Sequence, residues 1–247
     1  MEFYIRPNIS SRKELKDLLV ADLVLTLAFS LVMIGGIQNI QSMFYIFLYF
    51  LPISFVAVSL SFILHELMHK YTAERFGAIA GFRTSPYGLA ITLITSFFGF
   101  LIGVPGATMI YGRFAKREEG IVSIAGPLTN FTIFVVFLLI GLLAFPNFLS
   151  NVLVTFSPSD MFKLSFFQNT VNMVLFISIL LAFFNMLPIY PLDGSKVLRW
   201  NKYIFISVVA VIFILLSIIV PIVSLITGLA FMLIIAYIFS FFYKGLF

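Results

Sequence analysis

Residues 43–69 read MFYIFLYFLPISFVAVSLSFILHELMH, an uncharged apolar run that ends abruptly in His65-Glu66-Leu67-Met68-His69. About 20 apolar residues are enough for a helix to cross the hydrocarbon of a bilayer. The run from 43 to 64 therefore predicts a membrane-spanning helix with polar, chemistry-bearing groups at one end. These are the only two histidines of the chain.

The rest of the chain agrees with a lipid environment. Of its 247 residues 62% are hydrophobic, 32 are phenylalanine and only 10% are charged, with a mean hydropathy of +1.13. Soluble domains carry about 25% charged residues, so these side chains cannot make a water-facing surface. With no cysteine, disulfide frameworks, thiolate nucleophiles and cysteine-ligated metals are excluded. The net charge of +5 is not gathered into a basic tract, so nucleic acid is not an expected partner; the bilayer is.

Further runs of spanning length lie at 18–37, 121–145, 171–187, 203–220 and 222–242, which makes six predicted spans. Ser11 and Glu14 have the spacing of a capping box, predicting a short cytoplasmic helix within 1–17 that runs on into the first span. That span needs no cleavable leader and has Asp22 as its one charge. Arginine and lysine then orient the chain. With the N-terminus inside, fourteen of the fifteen basic residues fall on the cytoplasmic side and only Lys163 falls outside, as the positive-inside rule requires. Both termini are then cytoplasmic.

Residues 88–110 break the scheme, being apolar but rich in Gly, Thr and Ser, with Pro105 near their end. A seventh span would invert everything after it, so a re-entrant or membrane-dipping hairpin is expected, within about 78–112. The fold expected is thus an all-α polytopic membrane protein of six helices, with a β-hairpin or re-entrant segment between the second and third. Residues 1–247 read as one unit.

On a helix, positions i and i+4 lie about 40° apart, so His65 and His69 share a face and can share a metal ion. Glu66, one residue on, swings to the flank, where it can reach a metal-activated water without being a ligand. Catalytic zinc takes three protein ligands, and with no other His or Cys the third must be a carboxylate. Glu74 points away from the pair, and Glu118 and Glu119 sit beside Lys116 and Arg117, as a hydrated charge cluster does. Asp193 follows Pro188 and Pro191 at the cytoplasmic end of the fourth span, on the histidines' side of the membrane. Asp22, near the cytoplasmic end of the first span, stays open beside it.

His-Glu-x-x-His at the end of one span and Asn185-x-x-Pro-x-x-Pro-Leu-Asp-Gly194 two spans later resemble motifs of the site-2 protease family. These are intramembrane zinc metalloproteases of peptidase family M50. Ala125-Gly126-Pro127, followed by Asn130, is similar to the motif that family carries between the two. The resemblance covers about residues 62–200. It implies that His65, His69 and Asp193 hold one zinc ion and that Glu66 is the catalytic base. It places Asn130 and Asn185 near the substrate carbonyl or its backbone. It also implies strands within 88–110 that pair with an unwound substrate, and transmembrane proteins as substrates. No stretch resembles the PDZ or CBS domains of many relatives. The rival reading is a polytopic metal-ion transporter with His65, His69 and Asp193 as its transport site; it gives no role to Glu66.

Overall fold

The computed structural model describes residues 11–101, 103, 105–152, 156 and 161–219. They form nine helices and one pair of strands: α1 (Ser11–Met33), α2 (Phe44–Val58), α3 (Leu64–Arg75), β1 (Ile79–Thr84), α4 (Pro86–Phe97), β2 (Gly106–Tyr111), α5 (Lys116–Ala144), α6 (Phe148–Asn151), α7 (Phe166–Asn185), α8 (Asp193–Trp200) and α9 (Lys202–Ile219). Between α2 and α3 the helix does not stop. It takes in one extra residue as a π turn, Ser59–Ile63, and continues.

Three described helices are long and apolar enough to cross a membrane: Phe44–Arg75, Lys116–Ala144 and Phe166–Asn185. They correspond to the second, third and fourth expected spans. The first is helical as α1, but that helix ends at Met33 because Gly35 and Gly36 both adopt positive φ. There the backbone comes so close to Gly99 and Phe97 that a Cβ on Gly36 would meet the Phe97 carbonyl at 2.4 Å. Every eighteen-residue window of α1 therefore takes in Lys16, Asp17 and Asp22. The fifth expected span is α9, whose apolar part, Lys202–Ser217, is shorter. The sixth lies outside the described residues.

The hairpin expected within about 78–112 is present as β1 and β2, with one difference: helix α4 is inserted between its strands, so residues 88–97 are helical. Ser85 accepts the Gly88 N–H and Pro86 sits in the first turn, a start signal that outweighs the β-branched residues after it. Among the described residues of 88–110 the strand is β2, and its antiparallel partner β1 comes from upstream, with Phe82 opposite Thr108. One expectation is corrected, the capping role of Glu14. Its carboxylate turns away from the Ser11 end of α1 to Lys70 and to the Phe82 N–H.

Helix α4 is inverted relative to a helix of a soluble protein. Thr92 and Ser96 are buried, while Tyr87, Ile94 and Phe98 beside it are exposed. Its hydroxyls are satisfied within the helix itself, Thr92 donating to the Gly88 carbonyl and Ser96 to that of Leu93. An outward apolar face with inward polar groups suits lipid. The core has two apolar clusters: Leu18, Leu25, Phe50, Ile53 and Ile177 join α1, α2 and α7, and Phe134, Leu175, Ile179 and Val197 join α5, α7 and α8.

Candidate metal centre

Helix rise explains where the motif falls. From Phe44, about 21 residues at 1.5 Å each bring the chain to His65 after some 30 Å, the thickness of the hydrocarbon. There α3 packs on α5, and the contact is close because of one residue. A Cβ on Gly126 would lie 2.4 Å from His69 Nε2 and 2.6 Å from His65 Nε2. On the other side Asp193 opens α8, and Gly194 lets that helix start tight against the end of α7. A Cβ there would meet the Met186 carbonyl at 2.2 Å.

These elements bring His65, His69 and Asp193 together, all buried, with one ligand atom from each within 4.8 Å of the others. His69 Nε2 is 3.0 Å from His65 Nε2 and 3.0 Å from Asp193 Oδ2, and His65 Nε2 is 3.6 Å from the same oxygen. Ligands on a tetrahedral zinc with bonds of about 2.0 Å stand ~3.3 Å apart, so the three are spaced as corners of such a site. Asp22, the other candidate, accepts from Ser59 at 2.8 Å instead. Glu118 accepts the Ala115 N–H at the start of α5, and Glu119 pairs with Arg199 at 2.7 Å.

The groups behind the ligands also fit a metal. His69 Nδ1 donates to the Val122 carbonyl at 2.8 Å, which leaves its Nε2 lone pair facing inward. The Asn130 side-chain nitrogen lies 3.1 Å from His65 Nδ1, while its oxygen is buried without a partner. A half-turn of the carboxamide exchanges the two atoms. The Nδ1–H of His65 then donates to the oxygen, and Nε2 is the free ligand atom. Burial alone would raise the Asp193 carboxyl, but in the metal-free chain, where a proton sits on His69 Nε2 in place of a metal, the charge and hydrogen bonds of His69 and His65 more than offset it. They hold it well below the usual carboxylate range, in the anionic form a metal ligand needs.

Glu66 is not among the ligands. Its Oε2 accepts from the Thr108 N–H at 2.9 Å and from the Thr108 hydroxyl at 2.8 Å. Opposite Thr108, the Phe82 N–H likewise points out of the sheet, to Glu14 Oε1 at 3.3 Å. The 82–108 pair is thus of the non-hydrogen-bonded kind, in which both residues turn N–H and C=O outward. The outer edge of β2 faces Glu66. Asn185 is not brought to this group; its amide donates to the Leu181 carbonyl, 3.0 Å away in its own helix. Thr108 and Val122 escaped sequence reading, because nothing local marks either one. Gly126 was visible only as part of a motif, without its contact.

Relatives carry the same chemistry in their names. The chain is 34% identical over 197 residues to a Methanocaldococcus jannaschii protein named "Putative zinc metalloprotease MJ0611", covering 79% of this chain and 88% of that one. It is 30% identical over 173 residues to "Putative zinc metalloprotease YwhC" of Bacillus subtilis, or 62% of this chain and 72% of the relative. It is 26% identical over 156 residues to "Zinc metalloprotease MJ0392" of M. jannaschii, a longer protein of which the match takes in 34%. No solved structure matches. The sequence model of peptidase family M50 matches residues 53–204, the stretch that holds the two histidines, Glu66, Thr108, Gly126 and Asp193, and the chain belongs to that family: it is a metalloprotease.

Proposed function

We propose that this protein is an intramembrane zinc endopeptidase, cutting other membrane proteins within or near their transmembrane segments, with Glu66 as general base. The observation that carries the reading is the tether of Glu66. Its carboxylate, on the residue next to His65, is held by the Thr108 N–H and hydroxyl at the outward edge of β2, where a proton must be moved if a peptide lies along that edge. A transmembrane helix hides its peptide bonds in its own hydrogen-bond ladder. To be cut it must be extended, and a strand edge is a ready partner for an extended chain.

His65, His69 and Asp193 would hold the zinc, which supplies acidity to a water and polarisation to the scissile carbonyl. Glu66 takes the proton of the attacking water and returns it to the departing amine. Asn130 and the Val122 carbonyl keep the imidazoles oriented. The transport reading of the same three residues does not need Glu66 to be held at all.

Thr108→Ala keeps the backbone N–H to Glu66 but removes the hydroxyl. A hydrogen bond to a charged group is worth about 1.5 kcal/mol or more, so kcat is expected to fall about tenfold. Zinc content, measured by elemental analysis, should not change.

Charge placement puts the site at the cytoplasmic end of its spans. In liposomes holding a single-span model substrate, mass spectrometry of the products is therefore expected to map cleavage to the cytoplasmic half of that span. Cuts in the outer half would overturn the orientation.

A further inference from the structure

Asp22 is fully buried on α1, among apolar side chains, and the metal site does not use it. Its Oδ2 accepts from the Ser59 hydroxyl at 2.8 Å, and its Oδ1 has no partner. A buried carboxyl group satisfied on one side only lowers stability, so its presence calls for a role. Ser59 is the first residue of the π turn Ser59–Ile63, and the turn leads directly through Leu64 to His65. On its other side the turn is held by Ser61, whose hydroxyl lies 2.7 Å from that of Ser178 on α7, both buried.

A π turn takes one more residue into the helix than an α turn does. All that follows is rotated by about 100° relative to an uninterrupted helix. Because the turn immediately precedes the motif, it decides whether His65 and His69 face Gly126 and Asp193 or some other neighbour. Single π turns of this kind are rare in helices and are found frequently at functional sites.

We propose that Asp22 and Ser178 are positioning residues. Through Ser59 and Ser61 they clamp the π turn and so set the rotational phase of the metal-binding helix. The inference rests on the reading of His65, His69 and Asp193 as metal ligands.

The test uses the full chain in lipid nanodiscs, with zinc affinity measured by chelator competition, cobalt(II) absorption in place of zinc, and thermal melting of the metal-free protein. Ser59→Ala and Asp22→Leu are each expected to weaken zinc binding by about tenfold or more and to change the cobalt d–d bands. The metal-free melting temperature should hold, or rise in Asp22→Leu, which removes the half-satisfied carboxyl group. Ser59→Thr and Asp22→Asn keep the hydrogen bond and should restore both metal readouts. If Asp22→Leu does not fold, the smaller Ser59→Ala change decides. Parental zinc affinity in Ser59→Ala overturns the proposal, as does a loss of zinc affinity matched by an equal loss of metal-free stability. His65→Ala separates the two readings. If it too binds zinc as the parent does, the metal site is wrong; if it loses zinc while Ser59→Ala does not, only the clamp is wrong.

Discussion

Glu66→Gln is expected to slow peptide-bond cleavage by about a thousandfold while leaving the zinc content of the protein unchanged. General acid–base catalysis by a placed side chain contributes roughly 10²–10⁴ in rate, and here one carboxylate has two proton transfers to make. Gln is nearly isosteric, and its amide oxygen can still accept from the Thr108 N–H and hydroxyl that hold Glu66 Oε2 at 2.9 and 2.8 Å. The side chain therefore stays in place and only its basicity is lost. Because Glu66 is not one of the three clustered ligands, the metal should stay. Single-turnover kinetics beside elemental analysis would check both halves. A variant that keeps more than about a tenth of the parental rate would take Glu66 out of the proton path, and one that loses zinc would make it a ligand.

Gly126→Ala should produce the opposite pattern: no metal in a helix at least as stable as before. Alanine is favoured over glycine by about 1 kcal/mol in a helix interior, and Gly126 lies well inside α5. The new methyl group, however, would lie 2.4 Å from His69 Nε2 and 2.6 Å from His65 Nε2. The imidazoles can yield only by swinging their ligand atoms away from Asp193. Zinc, expected at about one per chain in the parent, should fall to the background of a metal-free protein, with far-UV circular dichroism retained. Zinc bound at full occupancy in Gly126→Ala would mean that α3 and α5 do not approach as closely as described.

What could be read from the sequence, and what could not, divides along the range of the interactions. His65 and His69 were legible because the α-helix itself puts positions four apart on one face. Asp193 was legible only in part: charge placement narrowed the acidic candidates but left Asp22 open beside it, and the resemblance of its Leu-Asp-Gly motif made the choice. Spans two to four were legible because hydropathy acts residue by residue. The tether of Glu66 to Thr108 joins residues 42 positions apart, and no local pattern announces it. The π turn was invisible for a different reason: Ser59–Ile63 continues the uncharged run that leads to the motif, and no Gly or Pro within it marks an irregular helix. At α4 the signal was present and was outweighed. Ser85-Pro86 is a helix start, but the β-branched residues that follow it favoured strand. Glu14 had a plausible local partner three residues away, and a half-buried lysine from another helix was the stronger one.

That last pairing bears on how freely the parts of this protein can be exchanged. Glu14 is almost wholly buried and serves both Lys70, one residue past the second histidine, and the Phe82 N–H on the edge of β1. Asp17, one turn on, pairs with Arg83 at 3.5 Å. A generic hydrophobic anchor grafted in place of residues 11–33 would satisfy the bilayer and strand these partners, leaving a half-buried ammonium and a backbone donor without acceptors. Chimeras made with relatives should therefore work only when the first helix travels together with positions 70, 82 and 83. Natural drift at Glu14 and Lys70 should likewise occur as a coupled exchange, since changing either one alone leaves a charge uncompensated.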